Sequence, residues 1–147
     1  MPFNVFALPA LAALIVQVIV LFLVVYGYWL KRRLEFPRHG KVMSWAVFLH
    51  LVTIVLVMVP SFVFAIISEY ILPNSKGLVS ILALIHVPLG LTAVSFGVWF
   101  AVSWRYKGLQ GCFRKKRLML LTIIIWLVTL SLGFILFAIL NLPLLFS

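Results

Sequence analysis

Two histidines, His50 and His86, stand inside long apolar runs, and a third, His39, lies among basic residues. A potentially ionisable residue in a membrane-crossing segment is a functional candidate by default. A neutral imidazole there must satisfy both ring nitrogens, with a hydroxyl and a carbonyl or with an iron atom and a hydrogen-bond acceptor. The chemistry such a pair suggests is haem b ligation in an electron-transfer cytochrome, one ligand coming from each of two helices. Spacing speaks against a shared iron. Antiparallel pairing of the two helices sets His50 opposite residue 95 rather than 86, an axial mismatch of about 13 Å at roughly 1.5 Å per residue. A lateral helix separation of about 8–10 Å lengthens the span further. For His50 and His86 this leaves open a haem held by one histidine and another ligand, a quinone or lipid headgroup, and plain packing or hydrogen bonding. His39 is expected to meet headgroups or water.

Other chemistry is sparse. Glu35 and Glu69 are the two acids of the chain, both at the edges of apolar runs, so proton pumping and hydrolysis lack their usual residues. No Gly-rich phosphate loop, no multi-His or multi-Cys metal spacing and no triad-like set occurs. The single cysteine, Cys112, rules out an intramolecular disulfide and a site built from several thiolates, and reads as a free thiol in a basic loop. No independent enzymatic activity is expected.

The elements that must position the histidines follow from hydropathy. The chain is 66% hydrophobic and 10% charged, and four apolar runs, about 5–30, 42–68, 78–104 and 118–146, are each long enough to cross a hydrocarbon core of about 30 Å. The expected architecture is an all-α membrane protein, a single domain of four transmembrane helices in an up-down bundle. Eleven of the 12 Lys and Arg residues fall in two gaps, Lys31 to Lys41 and Arg105 to Arg117. Basic connections stay in the cytoplasm, so both termini and the segment from Glu69 to Gly77 are expected outside, in the plasma membrane. The first run is too long for a signal peptide and is expected to persist in the mature protein.

A net charge of +10 would suggest nucleic acid in a soluble chain. Here Lys31, Arg32, Arg33, Arg114, Lys115, Lys116 and Arg117 flank helix ends, where anionic headgroups attract them, so membrane lipid is the expected partner and nucleic acid is not. Tyr26, Tyr28, Trp29, Trp45, Trp99, Trp104 and Tyr106 fall near the same boundary as an aromatic belt.

Shifting the chain by 76 residues lays Lys41, Met43, Leu51, Val52 and Thr53 on Arg117, Met119, Leu127, Val128 and Thr129. Tyr28 then meets Trp104 and Lys31 meets Lys107, so the unit that repeats is a helical hairpin, related to its copy by an axis along the membrane normal. Gln17, Thr53, Thr92 and Thr129 share one depth, about 18–20 Å from the cytoplasmic helix ends. They form a candidate polar tie across the bundle, the alternative for each Thr being a bond to its own helix carbonyl. Gln17 should face inward. His50 has Ser95 at its own depth and Trp126 at the repeat-equivalent position, and His86 continues into a small-residue stripe, Gly90, Ala93 and Gly97. Pro60 and Pro88 lie at nearly one height, each removing a helix hydrogen bond. The opening this implies, lined by Ser61, His86 and Gly90 below Glu69 and Tyr70, is the candidate pocket.

The stretch HGKVMSWAVF from His39, the single His86 early in the third run, and RKKRLMLLTIIIW ending at Trp126 resemble the small four-helix membrane family designated domain of unknown function four-twenty. The resemblance covers roughly residues 20–140. A His, Lys and Met that open the second helix in that family are matched by His39, Lys41 and Met43, and a His that begins the third is matched by His86. Two other histidines usual in the family are missing here; by alignment they would fall near Ser61 and Lys115. Some members are linked to assembly of respiratory oxidases, so the resemblance implies an accessory subunit or assembly factor of a membrane-bound redox complex, with haem b as a candidate cofactor and other membrane subunits as partners. A minimal cytochrome b exchanging electrons with a quinone-like carrier, and a ligand-free lipid-packing scaffold, are the alternatives.

Overall fold

The computed structural model describes residues 7–113 and 116–145, with side chains within 8–106 and 117–141. Arg114 and Lys115 lie outside the described residues, as do the side chains of Lys116 and Cys112. The chain is helical over 93% of its described residues. Its four helices, each long and apolar enough to span a membrane, are α1 (Ala7–Arg32), α2 (Phe36–Ile71), α3 (Leu78–Phe113) and α4 (Lys116–Leu145). They run up and down in order, α1 against α2, α2 against α3 and α3 against α4, while α1 and α4 touch least among neighbouring helices. Phe22, Leu56 and Phe64 are 68%, 69% and 67% exposed on the outside of the bundle, as side chains facing lipid should be.

Helix reaches further than hydropathy indicates. α2 begins at Phe36 rather than Val42 and α3 runs to Phe113 rather than Trp104. Lys and Arg are good helix formers, so the helix continues past the end of the apolar run. The first basic gap thereby shrinks to a turn. Leu34, at φ 63, sits in the left-handed region, its N–H donating to the Lys31 carbonyl and the Glu35 N–H to the Leu30 carbonyl. These paired bonds close the last carbonyls of α1, a termination that normally uses glycine. Pro37 opens α2, where its missing N–H has no helix partner to lose.

Small residues set the close approaches. A Cβ on Gly40 would collide with the Trp104 ring, and one on Gly97 would lie 3.3 Å from Val47 Cγ2. These contacts register α2 against α3. Val20, Ala46, Ala93 and Trp126 form the buried centre, with alanine letting the helices come together. Around Pro60, α2 widens into two π-helical segments, Ile54–Met58 and Phe62–Ile71, separated by Val59–Ser61. A proline cannot donate to the ladder, and beside it the bonding shifts to longer range, as in Val59 N–H to the Ile54 carbonyl.

Candidate functional site

The half of the bundle away from the basic turns holds a half-open cavity of about 290 Å³. All four helices contribute to it. α1 supplies Ala13 and Gln17, α2 supplies His50, Met58 and Ser61, α3 supplies His86 and Gly90, and α4 supplies Thr129, Gly133 and Asn141. The π-helical widening brings Ile54, Val57, Met58, Ser61, Phe62 and Ile66 of α2 to this one wall.

Three polar side chains define its chemistry. Gln17 is 3% exposed and accepts through Oε1 from His50 Nδ1 at 2.9 Å. His50, 8% exposed, also sets its ring edge-on to Trp126, with centroids 6.1 Å apart and planes at 87°. The His86 ring lies near the Thr129 backbone and against Gly133, where a Cβ would stand 3.1 Å from His86 Cε1. Among the described residues, the buried side-chain nitrogens and oxygens left without a hydrogen-bond partner are Gln17 Nε2, His50 Nε2 and His86 Nδ1. Each belongs to a residue lining this cavity. Each orphan of this kind costs about 1–3 kcal/mol, so three around one space are not expected of a purely structural core.

Gly40 against Trp104 and Val47 against Gly97 extrapolate to place His50 level with residue 94. His86 is then eight residues further along α3, an axial offset of about 12 Å. Both residues line this cavity, and a backbone offset of that size does not set the two rings across a single iron. Size points the same way. A cavity of about 150 Å³ holds one benzene ring, so about 290 Å³ suits a fused two-ring molecule and not a four-pyrrole macrocycle. The lining among the described residues also carries no Lys or Arg to meet haem propionates. Haem b does not fit this site, and no cluster of three or more His, Cys, Asp or Glu able to hold a metal ion occurs among the described residues.

The sequence-derived polar layer divides. Gln17, Thr53 and Thr129 are buried, but Thr92 and Ser95 are exposed. Thr53, Thr92 and Thr129 each bond to their own helix carbonyls, at Leu49, Pro88 and Ile125, so the tie between helices is the Gln17–His50 bond alone. The correction at Thr92 and Ser95 has a geometric cause. Equal depth does not mean equal azimuth, and at about 100° per residue Ser95 lies roughly 200° from the buried Ala93. His39 is corrected as well. It is buried, with Nδ1 bonded to the Gly27 carbonyl at 2.7 Å, and it lines a smaller cavity of about 110 Å³ near the basic turns instead of meeting headgroups.

Other expected features are present. Ser61, His86 and Gly90 do share a wall, although Glu69 and Tyr70 are not part of it. Lys31 is half-buried, Arg32, Arg33 and Arg117 are exposed, and Arg33 stacks over Trp29 at 3.9 Å. Positions equated by the repeat, His50 and Trp126, meet at the centre. Asn141 and Gly133 were not singled out by sequence; Asn141 bonds to its own helix at the Phe137 carbonyl, and Gly133 gains its role from His86 across from it. No family model, curated protein or solved structure matches the chain, so the family resemblance rests on its short motifs.

Proposed function

We propose that this protein is a non-catalytic membrane subunit that holds a quinone-class molecule for a larger redox complex, as an accessory or assembly component. The observation that carries this reading is that Gln17, His50 and His86, each with a buried nitrogen that lacks a hydrogen-bond partner, all line one largely apolar cavity. A fused aromatic ring with polar oxygens on its edges matches that wall: flat and apolar over most of its area, with few polar groups that fix orientation. Such molecules dissolve in the bilayer and reach the cavity from the side. The seam between α1 and α4, the least packed in the bundle, is the route. The basic turns face the cytoplasm of a plasma membrane, which puts the cavity in the outer leaflet half.

The test uses the full chain in lipid nanodiscs, titrated with a short-chain naphthoquinone. Saturable one-to-one binding is expected, abolished by Ala13→Phe, which fills the cavity beside Gln17 with helicity unchanged. The preparation should be colourless, and mild-detergent isolation should recover larger redox subunits. A folded chain that binds no naphthoquinone, or one that purifies with a Soret band, overturns the reading.

A further inference from the structure

We propose that the smaller cavity, beside the basic turns, takes one acyl chain of an anionic phospholipid from the leaflet on that side. It stands apart from the quinone-class reading, because it concerns the other half of the bundle. Shape comes first. The lining runs along α2 from His39 to His50 and along α3 from Ala93 to Trp104, a length of about 16 Å on each helix. A hydrocarbon core of about 30 Å gives each leaflet roughly 15 Å, the depth of one acyl chain. The volume is about 110 Å³, less than the roughly 150 Å³ that takes a single benzene ring. A space so long and so small excludes fused rings and suits one file of methylene groups.

The walls agree with such an occupant. Val20, Val24, Met43, Val47 and Phe100 supply apolar surface. Polar residues beside them turn to backbone. Ser44 Oγ donates to the Gly40 carbonyl at 2.9 Å, Thr122 Oγ1 to the Leu118 carbonyl at 2.8 Å, and His39 Nδ1 bonds to the Gly27 carbonyl at 2.7 Å. The far end is closed at the bundle centre by His50 and Trp126, both buried and packed edge-on. Among the described residues, His50 alone lines both this cavity and the larger one, so a chain that enters here ends at its ring. The space is half-open, and α1 and α4, which touch least among neighbouring helices, both line it, so an acyl chain enters sideways from the bilayer.

The near end carries the charge. Gly40 lies against the Trp104 ring, where an added Cβ would collide with it, and both residues line the cavity. Lys41 and Arg105, the next residue on each helix, are exposed. They flank the level of a headgroup whose chain runs inward, and basic side chains at a membrane surface attract anionic lipid. Arg38 is already paired with Glu35 at 2.8 Å and takes no part.

The full chain is released from nanodiscs that mix dipalmitoyl phosphatidylglycerol with dipalmitoyl phosphatidylcholine, and is weighed intact by native mass spectrometry. One phosphatidylglycerol per chain is expected to remain, enriched about tenfold over phosphatidylcholine, as two basic contacts warrant. Diphytanoyl phosphatidylglycerol has the same head and methyl branches along its chains, so it should be retained about tenfold less in so narrow a space. Ala101→Phe, which fills the cavity from α3, should abolish retention with helicity unchanged. If that variant does not fold, the branched lipid tests the same dimension on the parent chain. Replacing Lys41 and Arg105 together by Gln should keep a bound lipid and erase the preference for phosphatidylglycerol. Equal retention of straight and branched chains places the lipid on the outer surface and overturns the proposal, as does equal retention of the two headgroups or retention of neither. Palmitate held more tightly than phosphatidylglycerol overturns it in favour of a free fatty acid.

Discussion

Replacing Gln17 and His50 together by leucine should stabilise the protein while destroying its ligand site. The pair contributes one buried hydrogen bond at 2.9 Å, which inside a membrane bundle is worth about 0.6–2 kcal/mol. The edge-on contact between His50 and Trp126 adds about 0.5–1.5 kcal/mol. Against these stand two orphaned atoms, Gln17 Nε2 and His50 Nε2, which together cost about 2–6 kcal/mol. Leucine is close in size to both side chains, so neither a large void nor a clash is introduced. Mid-range values leave the double variant about 1–2 kcal/mol more stable. The single variants should each be destabilised or neutral, because each strands the partner that remains. Reversible unfolding in mixed micelles with increasing sodium dodecyl sulfate, followed by helicity, measures the difference, and a naphthoquinone titration on the same samples should show binding lost. A double variant that is less stable than the parent by 1 kcal/mol or more would mean that the pair is a structural tie. The orphaned atoms would then not mark a ligand site.

Three further outcomes test how the bundle holds the cavity. Leu34→Gly should stabilise by about 1 kcal/mol, since the left-handed φ of 63 costs a side chain that glycine lacks; the same unfolding assay reads it. Gly40→Ala should destabilise by about 1–3 kcal/mol, because its Cβ would collide with the Trp104 ring and push α3 from α2. Unchanged stability there would disprove the register on which the axial offset of the histidines depends. Cysteine-accessibility labelling at Ser75 and at Arg38, in a background without Cys112, should place the α2–α3 turn outside and the α1–α2 turn inside. The opposite pattern would invert the assigned orientation.

Much of this molecule is readable without its tertiary structure. The number of spans, their membrane character and the segregation of basic residues follow from one-dimensional hydropathy and charge, because every backbone polar group in hydrocarbon must be satisfied within its own helix. Residue counting also gave the height of each side chain, since rise per residue is nearly constant in a helix. Height set Gln17 level with Thr53 and indicated that it should face inward, but its bond to His50, one turn away, came only from the packing.

What counting could not supply is azimuth and close approach. Thr92 and Ser95 have the right height and the wrong face, and His39 is buried against the Gly27 carbonyl although its neighbours in sequence are basic and exposed. Rotation of each helix is decided by where small residues allow contact, at Gly40 on Trp104 and at Gly133 on His86, and these pairs join residues far apart in the chain. The cavity itself exists because α2 widens around Pro60 while α3 continues as an α-helix through Pro88. Hydropathy determined that two histidines lie within the membrane. Only the packing of four helices decided that both line the same cavity.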